Sequence, residues 1–319
     1  MKMDEPIDLT SLAKHFSDED KARELIEKLR WKNGVVCPHC TAERVYKIVP
    51  KKGSKTRKGL YKCGACRKQF TVTVGTIFES SRIPLNTWLL AFHLICSSKK
   101  GISAHQLHRM LQITYKTAWF MAHRIRYAMS QEPMFTKLNG VVEADEAYIG
   151  GSITNMHEAD KKRRGISGRG LSKDKAPVVT LVERDGRVKT HHMEHVTSAN
   201  IKRVLRECVH REAHLMTDEA HQYRGANRMF FGHDTVNHSA KEYVRDIHFH
   251  INTAESVHAL LKRGVTGVYH HWSKKHLHRY LTEFDFRWNH RKVLDGERTV
   301  AAIKGVEGKR LMYRDSSKH

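Results

Sequence analysis

Two sets of residues in this chain are equipped for chemistry: four paired cysteines, and acids placed at the ends of apolar runs. Cys37 pairs with Cys40 and Cys63 with Cys66, each as CxxC, while Cys96 and Cys208 stand alone. Thiolates are soft ligands that select zinc, and four of them complete its tetrahedral shell without an open position. The pairs predict one structural Zn2+ held by Cys37, Cys40, Cys63 and Cys66, two knuckles joined by a hairpin, and not a disulfide framework. The acids are Glu143, Asp145 and Glu146 in the run Val141-Val142-Glu143-Ala144-Asp145-Glu146, then Asp218-Glu219 after Leu215-Met216, then Glu255 at the start of a predicted helix. Side chains alternate along a strand, so Asp145 shares a face with Glu143 and Glu146 turns to the other. Acids meeting at strand ends suit phosphodiester chemistry, because hard Mg2+ ions take oxygen ligands and need positions left for water and phosphate. Each acid also has a plainer reading. Glu255 completes a capping box begun at Asn252, and an aspartate in a strand pairs with one of many surface cations.

The elements that must carry these residues follow from periodicity. Ser17 is placed to cap a helix over residues 17–31, in which Ala22, Leu25, Ile26 and Leu29 make one apolar stripe. Residues 84–129 read as three helices: one with the stripe Trp88, Leu89, Phe92 and Ile95, a second capped by Ser103, and a third capped by Thr114. In the third, Ala118, Met121, Ala122, Ile125 and Met129 face inward, which leaves Tyr115, Lys116, Trp119, Arg124 and Arg126 nearer the outside. The turn Gln112-Ile113-Thr114 makes the last two helices a helix-turn-helix-like module, with Lys116 and Arg124 as candidate DNA contacts or a merely solvated basic face. The period then changes. Residues 138–149, 178–183, 188–193 and 215–217 read as strands, the middle two as a hairpin around Asp185-Gly186, and residues 198–210, 239–246 and 253–263 as helices. Strands with intervening helices predict a mixed α/β (α+β) domain. The Lys-, Arg- and Gly-rich segment 159–175 has no periodicity and reads as a mobile basic loop.

Charge narrows the partner. The chain has 57 Lys plus Arg against 34 Asp plus Glu, a net +23, and the basic residues recur along its length. That distribution favours an extended nucleic acid, with a ribosome-associated protein or a solvated basic surface as the plainer alternatives. The longest apolar run, Trp88 to Cys96, is interrupted by His93 and is too short to span a bilayer, and the N-terminus lacks a signal-like apolar core. A soluble, intracellular protein is expected.

The set Glu143-Ala144-Asp145-Glu146-Ala147-Tyr148-Ile149-Gly150-Gly151, Thr217-Asp218-Glu219 and Asn252-Thr253-Ala254-Glu255 with Leu261-Lys262-Arg263-Gly264 resembles the DDE transposases of small bacterial insertion sequences. The resemblance extends to Trp31 through Phe78, which is similar to the zinc-ribbon module of that group, and to His270–Leu281 and Phe286–Arg291, which resemble its C-terminal helices. It implies an RNase H-like catalytic core in which Asp145, Asp218 and Glu255 are the catalytic carboxylates and ligands of two Mg2+ or Mn2+ ions, with Asn252 the second candidate for the third ligand. It also implies that Lys262 touches DNA near the scissile phosphate. Arg263, Lys274 and Lys275 are further candidate DNA contacts. The implied partners are double-stranded DNA, as transposon terminal inverted repeats and target, and a second copy of the chain in at least a dimer. The implied location is the bacterial cytoplasm, at the nucleoid.

The expected organisation is an N-terminal helical segment (1–33), a zinc ribbon (34–80), a helical DNA-binding module (81–133), the catalytic domain (134–293) and a C-terminal tail (294–319). Transposon-end cleavage and strand transfer is the leading function. A nuclease of the same fold without strand transfer, and a non-catalytic zinc-ribbon regulator, are the competing ones; His221 and His258, close to the acids in sequence, are left without a role.

Overall fold

The computed structural model describes residues 17–131, 136–150, 157–163, 175–236 and 251–314. They form two compact units, one running to Ser130 and resuming at His290, the other Gln131–Asn289.

The first unit opens with α1 (Glu19–Arg30). Its cap is Asp18, one residue beyond the expected Ser17, whose carboxylate accepts the Asp20 amide, and Ala22 and Ile26 bury its apolar stripe. The ribbon follows as a three-stranded antiparallel sheet, β1 (Val45–Ile48), β2 (Leu60–Cys63) and β3 (Gln69–Phe70) in that order. Too small to bury a large core, it packs Tyr61 against Phe70, ring centroids 5.8 Å apart, with Trp31 edge-on to both. Three helices come next: α2 (Leu85–Ser97), α3 (Ala104–Leu111) and α4 (Tyr115–Met129). Both predicted caps form, Ser103 accepting from the Gln106 amide and Thr114 from that of Thr117, while Gln112 turns the chain between them with φ at 51°.

The outward face expected of α4 needs correction. Tyr115 and Lys116 are exposed, but Arg124 and Arg126 are buried. The Arg124 guanidinium donates to the Glu79 carbonyl at 2.7 Å and lies against the rings of Trp88 and Phe120, and burial pulls its pKa down to about 10. It is an internal strut and not a surface for DNA; helical periodicity could not show that Glu79 and Trp88 would close over it.

The second unit contains β4 (Val141–Ile149), α5 (Glu158–Arg163), β5 (Ala176–Glu183), β6 (Val188–His192), α6 (Ser198–Cys208), β7 (His214–Asp218), β8 (Gly232–Val236), α7 (Asn252–Gly264) and α8 (Lys274–Asn289). The sheet order is β6-β5-β4-β7-β8; β4, β5 and β6 pair antiparallel, and β4, β7 and β8 parallel. This mixed α+β arrangement is the expected RNase H-like core. Strand β5 is apolar almost throughout because both of its faces are covered. Val179 and Leu181 join the core under α6 with Ile201 and Leu205, whereas Val178 and Val182 join the core under α7 and α8 with Val257, Leu261, Leu281 and Phe284. The segment expected as a basic loop begins with the short α5, while its remainder, 164–174, and the helix expected at 239–246 lie outside the described residues.

Helix α8 closes the free edge of β6 with side chains. Asp285 accepts from the amide and hydroxyl of Thr190, at 2.8 and 2.9 Å, and Asn289 bonds both the amide and the carbonyl of Val188. Complete burial pushes the Asp285 carboxyl up to about 8, against the pull of the two Thr190 donors.

Within the expected C-terminal tail the structure has a further helix, α9 (Asp295–Lys304), packed in the first unit. Thr299 meets His93 of α2 at 3.2 Å, Arg298 donates to the Cys96 carbonyl, and Lys309 donates to the Ala128 carbonyl at the end of α4.

Candidate active site and metal centres

The four ribbon cysteines converge. Their sulfurs lie within 4.8 Å of one another, with Cys37 and Cys66 3.7 Å apart and Cys40 and Cys63 3.6 Å apart, and all are free thiols. A tetrahedral ion with Zn–S bonds of ~2.3 Å requires sulfurs about 3.8 Å from each other. The spacing therefore fits zinc, and the donor set leaves no position for substrate. The amides of Cys66 and Ala65 stabilise the Cys63 thiolate and bring its pKa down to about 6.

The acids of the second unit are positioned by strand register. Glu143 on β4 stands opposite Met216 on β7, and the same parallel offset continued brings Asp145 level with Asp218, the last residue of β7. Carboxylate oxygens of Asp145, Glu146 and Asp218 lie within 4.8 Å of one another. Glu146, expected on the opposite face of β4, reaches the group because β7 stops at Asp218, so that side chains from both faces of β4 can meet beyond its end. Burial pushes the Glu146 carboxyl up to about 7; contact with Tyr223 opposes the rise, and the charges of Asp218 and Asp145 add to it. Its Oε1 is buried and accepts no hydrogen bond from the described residues. An orphaned, buried carboxylate oxygen beside two further carboxylates suits a hard divalent cation, which would take that oxygen as ligand and offset the crowded charge.

The carboxylates are held from below. Asp145 Oδ1 accepts the Glu146 amide at 2.8 Å, and Oδ2 is 3.2 Å from His258 Nδ1. Asp218 Oδ1 accepts the Ala220 amide at 3.1 Å, which fixes the turn after β7. Glu143, fully buried, accepts from the amides of Thr253 and Ala254 and from the Thr253 hydroxyl, and it pairs with Arg184. That carboxylate from the sheet satisfies the first turn of α7, so the capping box that is the plainer reading of Asn252 and Glu255 does not form: Ile251 is the cap residue and contributes no side-chain bond.

Glu255 stands outside the Asp145, Glu146 and Asp218 group, exposed on the first turn of α7, and Asn252 is exposed beside it. Lys262 and Arg263 are exposed on the last turn of the same helix, Lys274 is exposed and Lys275 half-buried at the start of α8, and Lys116 is exposed on α4, its ammonium 4.5 Å from the Tyr313 ring. Of the two histidines left without a role, His258 reaches Asp145 and His221 is exposed. Sequence reasoning missed Glu146 as a member of the acid group and Glu143 as the anchor of α7. The side-by-side acids 143, 145 and 146 were the signal for both. Among the described residues no helix is long and apolar enough to cross a membrane.

Comparisons with known proteins agree with this arrangement. Residues 137–289 match the ISXO2-like transposase domain and residues 17–69 the transposase zinc-ribbon domain. The chain is 32% identical over 282 residues to an uncharacterized protein in transposable element ISH50 of Halobacterium salinarum, a match covering 86% of this chain and 92% of that protein. A zinc-ribbon cysteine set, acids converging on adjacent parallel strands and a match along most of the chain have one explanation: it belongs to the family of ISXO2-like insertion-sequence transposases.

Proposed function

We propose that this chain binds the ends of an insertion sequence and catalyses metal-dependent DNA cleavage followed by strand transfer, with Asp145, Asp218 and Glu255 as its catalytic carboxylates. The observation that carries the reading is the convergence of Asp145 and Asp218 at the ends of adjacent parallel strands. Two Mg2+ or Mn2+ ions bound there would activate the attacking hydroxyl and stabilise the leaving oxygen. Asp145 and Asp218 supply oxygen ligands held in place by the Glu146 and Ala220 amides, so little reorganisation is needed when cations arrive. Glu255, outside the Asp145, Glu146 and Asp218 group in this structure, would complete the set from α7 when metal and DNA bind, with Asn252 as the second candidate. Lys262 lies seven residues beyond Glu255, about two turns along the helix, where an exposed cation can hold a phosphate beside the acids. Arg263, Lys274 and Lys275 extend the contact to flanking DNA phosphates, Lys116 of the first unit is a separate candidate DNA contact, and two copies of the chain hold the two element ends together.

The test is a cleavage and joining assay on double-stranded DNA carrying the element's own ends, with Mg2+ and with EDTA, comparing wild type with Asp218→Asn. Covalently joined donor and target DNA that needs Mg2+ and disappears in the variant is the expected result. Cleavage without joining would replace the proposal with a nuclease, and tight binding without any product would replace it with a DNA-binding regulator.

A further inference from the structure

We propose that His258, supported by Thr180, is a positioning residue that fixes the Asp145 carboxylate for metal binding; the inference rests on the metal-dependent reading above. Asp145 and Thr180 are register partners across β4 and β5. His258, on α7, bridges them: Nδ1 is 3.2 Å from Asp145 Oδ2 and Nε2 is 2.8 Å from Thr180 Oγ1. Thr180 is fully buried and His258 nearly so.

An ionised carboxylate has no proton to give, so a proton on Nδ1 faces Asp145 favourably, and Nε2 can then accept from the Thr180 hydroxyl 2.8 Å away. The Thr180 hydroxyl, able to donate or accept, holds the ring in the orientation that brings Nδ1 to Asp145. Asp145 Oδ1 accepts the Glu146 amide and Oδ2 lies 3.2 Å from His258 Nδ1, within ion-pairing distance, so each oxygen has one partner in the protein and keeps a lone pair for a cation. With a hydrogen bond at one oxygen and the imidazole beside the other, the carboxylate is restrained about its side-chain torsions, the job that outer partners perform for metal ligands generally. The same contact joins Asp145 to α7 one turn beyond Glu255. At 100° per residue His258 and Glu255 are about 60° apart around the helix axis, so the contact also sets the azimuth of Glu255 relative to Asp145.

A buried histidine can instead be packing, and substitutions that separate donor from volume decide between the two. The amide nitrogen of asparagine falls near the position of Nδ1, and that of glutamine near Nε2. The experiment measures Mn2+ binding to the full-length, zinc-loaded chain without DNA, by electron paramagnetic resonance, for wild type, His258→Phe, His258→Asn and His258→Gln, with thermal unfolding of each. His258→Phe should weaken Mn2+ binding by about 10–100-fold, the usual cost of losing an outer partner of a ligand. His258→Asn should recover most of that loss and His258→Gln little of it. Unchanged Mn2+ affinity in the Phe variant, or equal affinities in the Asn and Gln variants, would overturn the proposal. If the Phe variant does not fold, the Asn and Gln comparison decides alone. An Asp145→Asn control separates this inference from its premise: if that change leaves Mn2+ binding intact, the metal-site reading falls first and the positioning role with it.

Discussion

Replacing Glu143 with Gln tests whether one buried carboxylate holds α7 on the sheet. The change preserves volume and one carbonyl oxygen but sets an NH2 group against donors. In the native site three donors, the Thr253 and Ala254 amides and the Thr253 hydroxyl, meet Glu143, and Arg184 lies 3.2 Å away. Losing an acceptor at a helix N-terminus costs about 1 kcal/mol. Weakening a charge-assisted bond to Arg184, whose side chain is 22% exposed and so partly rescued by water, adds about 1–3 kcal/mol. The expected loss is therefore about 2–4 kcal/mol, or a fall in Tm of about 5–15 °C for a unit of this size. Thermal unfolding of the full chain gives the magnitude, and amide hydrogen exchange gives the location, with loss of protection expected first at Thr253 and Ala254. A variant within about 0.5 kcal/mol of wild type, the usual range for an inconsequential surface change, with α7 amides equally protected would refute this account.

Three further outcomes are expected. Wild type should carry one zinc per chain by elemental analysis, and Cys63→Ser should lose it and expose the ribbon segment to protease, since so small a core depends on its metal. Arg124→Met should lower stability by about 1–2 kcal/mol by orphaning the Glu79 carbonyl while leaving DNA affinity and its salt dependence as in wild type; Lys262→Ala should do the reverse, weakening binding and reducing the slope of log K against log salt by about 1, as read by fluorescence anisotropy. Asp285 has a folded pKa of about 8 against an ordinary value of 3.8, so its contribution to stability is complete below the ordinary value and is lost as pH rises through the folded one. The urea midpoint of wild type should accordingly fall between pH 5 and pH 8 relative to Asp285→Asn, and parallel pH profiles for the two would contradict the assignment.

Much of this architecture is legible in the residue order because the informative patterns are local. The CxxC pairs, the capping residues Ser103 and Thr114, the Asp185-Gly186 hairpin and the acids closing apolar runs all announce themselves within a few positions. What stays hidden depends on where a distant element ends or lands. Glu146 joins Asp145 because β7 stops at Asp218, and no feature of residues 141–149 reports the length of a strand some seventy positions on. Arg124 lies on a helical face that reads as outward until Glu79 and Trp88 cover it. The cap of α7 comes from Glu143, more than a hundred residues earlier, so a search among neighbours of Asn252 finds a capping box that the fold does not use. The short α5 and the helix α9 were missed for a related reason: each is too brief or too polar for its periodicity to stand out.

The closure of β6 by α8 bears on how copies of this chain can meet. An unprotected outer strand offers a ladder of amides and carbonyls on which another polypeptide can extend the sheet. Here the amide and carbonyl of Val188 are bonded to Asn289 and the amide of Thr190 to Asp285, and a helix occupies the place an incoming strand would take. Growth of one sheet into another through this margin would first require prising off α8 together with a buried carboxyl. A second copy therefore cannot lengthen the sheet through β6 without first displacing α8.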